Sequence, residues 1–375
     1  MGEQDSAGSD LFLRLLLDGR PRTRAELVDS SGLGRSTVNI RIESLLSTGL
    51  VVPYDDAEST GGRPAARFRF NPAALVILAA DIGATHVTVA LTDLHGEILD
   101  RANTPLSIAE GPEAVLRTVA KTGRALLRST GRAKTELAGI GIGLPGPVEH
   151  STGRPNHPPI MPGWDAYDVA GRLRDEFAVP VLVDNDVNIM ALGEHATQYA
   201  EVEHLLFLKV ATGIGAGIIS GGRLHRGAQG AAGDIGHIQT PGNTEMCRCG
   251  NLGCLEAVAS ASALAAKLDG ASSSQDIVDL VRAGNTAATS AVRQAGREIG
   301  TVLAAAVNLL NPSVIVVGGS LSQAGDSLLA GIRETLYARS LPLATTGLRI
   351  VTAHAGQDAA LRGAAILVQQ HVLAL

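Results

Sequence analysis

The stretch Gly233–Glu256, GDIGHIQTPGNTEMCRCGNLGCLE, limits what this chain can fold into more than any other. It holds His237, Cys247, Cys249 and Cys254, one imidazole and three thiols, which is the donor set of a closed tetrahedral zinc site. Cys-x-Cys brings two thiolates to one metal through a tight turn, Gly250 and Gly253 let the backbone curl, and Cys254 returns from the start of a helix. These are all the cysteines of the chain, and two of the three are separated by one residue, so a disulfide framework is a poor reading. Four protein donors leave no position for water, which makes the expected Zn2+ structural rather than catalytic. Asp234 and Glu256 lie inside the same stretch, so a loop closed on metal would also fix two carboxylates in space.

A chain of 375 residues holds two or three domains at about 150 residues each. Hydrophobic residues make up 45% and aromatics only 3%, so the cores are aliphatic. The net charge of −6 argues against wholesale coating of nucleic acid, and any basic face has to be local. The start, MGEQDSAGSD, lacks the basic and apolar regions of a signal peptide. The apolar run Thr301–Gly319 is broken by Asn308, Asn311 and Pro312 and is no membrane span. A cytoplasmic protein with no membrane partner is expected.

Residues 10–18 carry a dense helical apolar pattern that stops at Gly19 and Pro21. Thr23 and Glu26 form a capping-box pair that opens a second helix, Gly32 turns the chain, and a third helix runs over Arg35–Thr48 with Val38, Ile42, Leu45 and Leu46 on one face. This spacing is that of a helix-turn-helix. Arg35, Ser36, Thr37, Asn39 and Arg41 cluster near the start of the third helix, where a recognition helix presents side chains to base edges and phosphates. From Arg20 to Arg41 five arginines stand against Glu26 and Asp29, a local net of +3. Leu50–Val52 and Arg63–Phe70 alternate like a hairpin, read as a wing with Arg63, Arg67 and Arg69 facing DNA. The bland alternative is a small helical packing module with a solvated basic face; the wing and the polar cluster favour double-stranded DNA. The segment Thr60–Ala73, rich in Gly and Pro, closes this first unit, taken as residues 1–72.

Residues 73–375 change texture. The stretch 75–99 reads as three strands, followed by a helix over Glu110–Ser129, a strand at 137–143, a helix near 165–177, a strand at 179–184 and a helix from Val187. A similar order begins again at 204 and ends with strands at Val314–Val317 and Leu348–Thr352 and a last helix from Asp358. A β-β-β-α-β-α-β-α order met twice implies two α/β lobes with mixed sheets facing across a cleft.

In that cleft VDNDVN, residues 183–188, follows a strand end and opens a helix. Carboxylates at such strand ends face a cleft, so Asp186 is read as a base toward a substrate hydroxyl, and Asp184 as a cap of the helix. Asp81, Gly83 and Thr85 lie in a glycine hairpin turn able to approach phosphates, an ordinary hairpin when taken alone. A second such turn holds Thr212, Gly213 and Gly215, and a third Gly318 and Gly319; together they outline a nucleotide cradle or its remnant. Gly141, Gly143 and Gly146 mimic a dinucleotide fingerprint, but Pro145 and Pro147 stand where that motif needs a helix, so the site is rejected.

These motifs resemble the ROK family (repressors, open reading frames and sugar kinases) over essentially the whole chain. The resemblance is carried by Asp81-x-Gly-x-Thr85, Gly141–Pro147, Asn156 before Pro162-Gly163-Trp164, Asn185-Asp186, Gly236-His237 and the block from Cys247 to Glu256. It implies an actin-like (ribonuclease H-like) two-lobed fold after an N-terminal winged helix-turn-helix, with sugar and, in the kinases, ATP and Mg2+ in the interlobe cleft. Asn156, Asn185, Asp186, Asp234, His237 and Glu256 would then contact sugar, Asp186 being the base if the chain is a kinase. His237 would bind zinc through one ring nitrogen and offer the other to the sugar. Two departures stand out. Asp234 replaces the Glu of the family's Glu-x-Gly-His, one methylene shorter, so a direct sugar contact is lost or carried by water. Ala84 and His86 stand where kinases commonly show Gly and Lys.

The expectation is a sugar-responsive transcriptional regulator of carbohydrate metabolism, a repressor on a palindromic operator, acting as a homodimer or homotetramer and not as an enzyme. The alternative is an ATP-dependent sugar kinase of hexose or N-acetylhexosamine type with an appended DNA-binding unit.

Overall fold

The computed structural model describes residues 11–54 and 66–373. Residues 11–16 form helix α1, in which Phe12, Leu13 and Leu16 are buried. Strand β1 (Arg22–Thr23) leads into helix α2 (Arg24–Ser31). The capping box is formed as expected: Thr23 Oγ1 accepts from the Glu26 amide at 3.2 Å, and the Glu26 carboxylate accepts from the Thr23 amide at 2.7 Å. Gly32 ends α2 at φ 68°, the left-handed turn that glycine adopts without strain. Helix α3 (Arg35–Ser47) then buries Val38, Ile42 and Leu45. Strands β2 (Val51–Tyr54) and β3 (Arg67–Phe70) pair antiparallel, Val51 opposite Phe70, and β1 adds to the other edge of β3. Three helices beside this ribbon make a winged helix-turn-helix. Arg63 lies outside the described residues. The two-residue β1 was not foreseen, because a strand that short leaves no periodicity in a sequence.

Two five-stranded sheets follow, and they repeat one topology. In the first lobe β4 (Val76–Ile82), β5 (His86–Asp93) and β6 (Ile98–Pro105) form an antiparallel meander. Helix α4 (Pro112–Ser129) returns the chain to β7 (Leu137–Leu144), parallel to β4. A small ribbon, β8 (Val148–Glu149) with β9 (Arg154–Pro155), and helix α5 (Val169–Phe177) precede β10 (Val181–Asn185), parallel to β7. Helix α6 (Asp186–Gln198) leaves this sheet. The second lobe repeats the meander in β11 (Leu205–Val210), β12 (Ile214–Ser220) and β13 (Arg223–His225). Helices α7 (Leu255–Ala259), α8 (Ala261–Ala265), α9 (Ser274–Arg282) and α10 (Thr286–Leu310) lead to β14 (Val314–Gly318), parallel to β11. Helices α11 (Asp326–Arg339) and α12 (Pro342–Thr345), strand β15 (Arg349–Thr352) and helix α13 (Ala359–Val372) complete it. The strand orders are β10-β7-β4-β5-β6 and β13-β12-β11-β14-β15. This is the doubled order read from the sequence. The third strand begins only at Ile98, later than expected, because β6 alternates half-buried and exposed residues and lacks an apolar run.

Helices α6 and α13 lie between the sheets and touch closely. A Cβ on Gly363 would overlap the Ile189 carbonyl, and one on Gly193 the Ala359 carbonyl, so only glycine permits this crossing. Gly217 of β12 takes Ala191 of α6, and Gly141 of β7 takes the backbone of α13 at Ala364, so each helix seats on a sheet through a glycine. The buried cluster around this crossing is continuous with the winged-helix core, reaching Phe12, Leu16, Leu27, Val38 and Phe70. Phe70 stacks on His95 of the first lobe with ring centroids 5.2 Å apart. Among the described residues no helix is long and apolar enough to cross a membrane.

Candidate functional site

The stretch with the candidate metal donors is a compact loop between β13 and α7. Its tip is folded by single bridges between Gln239 and Cys254 and between Met246 and Leu252. His237 ends a 3-10 turn, Ile235–His237, and points Nδ1 at Cys247 Sγ, 3.5 Å away. Cys249 and Cys254 sulfurs are 3.7 Å apart, and all four donor atoms lie within 4.8 Å of one another. A tetrahedral Zn2+ with bonds of about 2.0–2.3 Å separates its donors by about 3.5–3.8 Å, so the cluster fits the metal. Burial and the neighbouring thiols push Cys254 up to about 12, whereas the Asn251 amide lowers Cys249. Metal uptake here would therefore release protons. With Nδ1 committed to the cluster, His237 Nε2 is the nitrogen left for a ligand.

Glu256, two residues past Cys254, turns its carboxylate toward the β11–β12 turn and accepts the Ile214 amide at 3.1 Å. Asp234, in the same loop, is exposed; its amide donates to Ala231 O at 3.4 Å, and its carboxylate has no hydrogen-bond partner among the described residues. From the first lobe come Asn185 and Asn156. Asn185 caps α6, its Oδ1 accepting from the Val187 amide at 2.9 Å and its Nδ2 donating to Gly146 O at 3.0 Å. Asn156 is exposed and docks its amide on Pro147 O at 2.9 Å. The two asparagines thus hang on one turn, residues 145–147, just after β7.

The reading of Asp184 as the helix cap is corrected. The cap is Asn185, and Asp184 instead accepts Asn188 Nδ2 at 2.8 Å and Arg226 Nε at 2.7 Å. A carboxylate only 3% exposed needs a charged partner, and the loop after β13 supplies Arg226. The same loop meets the first lobe again where the His150 amide donates to Gln229 O at 3.2 Å.

Asp186 is also buried and is ion-paired with Lys209 of β11. Burial raises the Asp186 carboxyl. Burial acts to lower Lys209, but the facing Asp186 outweighs it and holds the ammonium's pKa above its usual range. Asp81 and Glu256 also bear on Lys209, which makes it the centre of an acidic corner. Sequence reading passed over Lys209, though its signal was there: a single charge inside the apolar strand Leu205–Val210. Arg226 had no comparable signal.

The expected nucleotide residues lie at three strand ends: the β4–β5 turn, the β11–β12 turn and the end of β14. The Gly83 amide donates to His86 O at 2.9 Å, Thr85 is exposed, and the His86 ring lies over Gly83 with Nε2 3.5 Å from Asp81. The hydrogen bond to Asp81 raises His86 above 6.5 despite partial burial. Thr212 is exposed, its carbonyl held by Ser262 Oγ at 2.7 Å, while Gly213 lies under Glu256 and Gly215 against Val187. Gly318 and Gly319 pack on Phe207 and Val210, so tight strand packing accounts for both glycines.

On α3, Arg35, Ser36 and Asn39 are exposed as expected. Thr37 is half-buried, and Arg41 lies with its guanidinium 5.7 Å from the Phe12 ring centre rather than projecting freely. Ile40, absent from the expected set, is 71% exposed beside Asn39. Arg22 and Arg24 are paired with Asp18 and Glu43, both at 2.6 Å, so part of the local positive charge is neutralised.

The family model described as the ROK family matches residues 77–371, which span both sheets, the metal loop and the α6–α13 crossing. The chain belongs to the ROK family. ROK relatives of two kinds resemble it. A putative xylose repressor of Caldicellulosiruptor sp. (strain Rt8B.4) is 30% identical over 97% of this chain and 96% of its own length. A glucokinase of Halalkalibacterium halodurans is 34% identical over 77% of this chain and 94% of its own. Among solved ROK structures, a transcriptional regulator described as a homologue of the Escherichia coli MLC protein superposes with a TM-score of 0.85, 26% identity and coverage of 98% and 96%. The actin-like sugar-kinase fold is thus shared by regulators and kinases of this family.

Proposed function

We propose that this ROK protein is a sugar-responsive transcriptional repressor of carbohydrate metabolism. Residues 1–72 bind a palindromic operator, and residues 73–375 bind the effector sugar in a zinc-braced cleft; the working species is a homodimer or homotetramer. The observation that carries the reading is helix α6. Its first residues, capped by Asn185 and beginning with Asp186, meet Lys209 of the second lobe in what we read as the sugar cleft. Its last turn, residues 196–198, lines a crevice of about 690 Å3 that Leu17, just past α1, also lines. Between them Glu194, fully buried, accepts the His354 and Ala355 amides at 2.7 and 2.9 Å and ties α6 to the segment that enters α13. A helix of 13 residues therefore runs from Asn185 and Asp186 to a crevice that it shares with Leu17 of the first unit. Sugar acts by preferring one arrangement of the lobes, since equal affinity for both would shift nothing. The likeness to a repressor over both units, where the glucokinase lacks a match to part of the chain, supports the same reading.

The test uses full-length protein and DNA from upstream of its own gene, titrated at several salt concentrations with D-xylose, D-glucose and N-acetylglucosamine. The expected result is salt-sensitive, sequence-preferring binding that one sugar weakens by about 5–150-fold. Absence of such DNA binding sinks the proposal. The kinase alternative rests on Asp186, and sugar-dependent ADP release above that of an Asp186→Asn control would restore it.

A further inference from the structure

Phosphoryl transfer to a sugar needs a carboxylate free to take the hydroxyl proton, and a divalent cation held by the nucleotide and nearby carboxylates. The corner formed by Asp81, Asp186 and Glu256 does not fit that use. Lys209 lies opposite Gly215 on one neighbouring strand and Gly318 on the other, so no side chain flanks its stem as it leaves the sheet. Its ammonium donates to Asp186 Oδ2, with the carboxylate side chain 6% exposed and the lysine 23%. Transfer of a proton to Asp186 would leave that ammonium largely buried without its partner, which is costly. Next to it the glycine turn is covered: the His86 imidazole lies where a Cβ of Gly83 would be and is itself held by Asp81. Two cationic or cation-capable side chains thus stand where the phosphates and metal of a nucleotide would be expected.

We infer that Lys209 is the resident cation of the cleft: with His86 over the phosphate turn, it neutralises the acidic corner, excludes a nucleotide-borne divalent cation, and leaves Asp186 as a fixed hydrogen-bond acceptor for a sugar bound without nucleotide. This rests on the reading of the cleft as a sugar site. It turns the same carboxylate from a proton acceptor into part of a sensor, and it makes Lys209 a positioning residue.

The experiment measures uptake of Mn2+ by electron paramagnetic resonance in the presence of AMP-PNP, using the full-length protein. Wild type is expected to take up no Mn2+–nucleotide up to about 1 mM. Lys209→Met should bind it at least about tenfold more tightly than wild type, because an unopposed set of carboxylates remains. Lys209→Arg, which keeps the cation, should behave as wild type, and Lys209→Met/Asp186→Asn should lose the gain. Lys209→Gln, which keeps a hydrogen-bond donor and drops only the charge, carries the same expectation as Lys209→Met and serves where that variant does not fold. Submillimolar Mn2+–nucleotide binding by wild type overturns the inference, as does a folded Lys209→Met or Lys209→Gln with wild-type uptake. Failure of the repressor reading would appear instead as missing operator binding or sugar response, to which manganese uptake is indifferent.

Discussion

The β4–β5 and β11–β12 turns occupy equivalent places in a repeated topology, and each has a glycine with a side chain where its Cβ would be. Over Gly83 that side chain is His86, from the same hairpin; over Gly213 it is Glu256, in the first turn of α7, 42 residues beyond Ile214. The first turn is closed by its own strand. The second is held by a residue that directly follows the loop carrying the four candidate metal donors. Equal topology therefore does not give equal dependence: the first-lobe turn needs only local chain, while the second-lobe turn inherits the stability of the Cys/His cluster.

The sharpest way to break this contrast is to remove the metal. Cys249→Ser should drop zinc from about one per chain to near none by elemental analysis and lower the melting temperature by about 10 °C or more, since structural zinc contributes folding energy outright. Sugar response should be lost, while operator affinity changes by less than about threefold because the loop lies in the other unit. A full complement of zinc in this variant would refute the ligand assignment. A middle-sized effect compares the two glycines. Gly213→Ala pushes on a Glu256 already engaged with Ile214 and should cost about 2 kcal/mol in urea denaturation, whereas Gly83→Ala displaces a ring that is 43% exposed and should cost under about 1 kcal/mol. Equal costs would mean that the metal loop does not brace the second turn. The smallest effect is electrostatic. The Asp81 hydrogen bond raises His86, so its stabilising contribution is complete below the unfolded value near 6.5 and fades as pH rises through the folded value. An NMR titration of His86 should show a midpoint above 6.5 that Asp81→Asn brings down; an unchanged midpoint would remove Asp81 as the cause.

Much of the architecture was legible because its signals are local. The capping box at Thr23 and Glu26, the apolar stripe Val38–Ile42–Leu45, and the two strand meanders each follow from short-range spacing. Helix α6 was placed to within a residue of its start, yet its cap was assigned to Asp184 instead of Asn185, because consecutive Asp and Asn residues compete for one role and only burial decides between them. Ile40 was missed for a similar reason: a helix pattern marks the buried face but does not say which apolar residue stays outside.

The sequence by itself singled out the His/Cys cluster that could hold a metal, since imidazole and thiol chemistry at that spacing leaves few other uses, and it determined the doubled α/β order through periodicity. Only the tertiary structure decided what the carboxylates do. Asp184 meets Arg226 and Asp186 meets Lys209, partners 42 and 23 residues away, and Glu256 reaches a turn in a different part of its lobe. A buried charge is defined by the partner that compensates it. That partner is chosen by how sheets and helices pack, a property that the spacing of residues along one strand or loop does not contain.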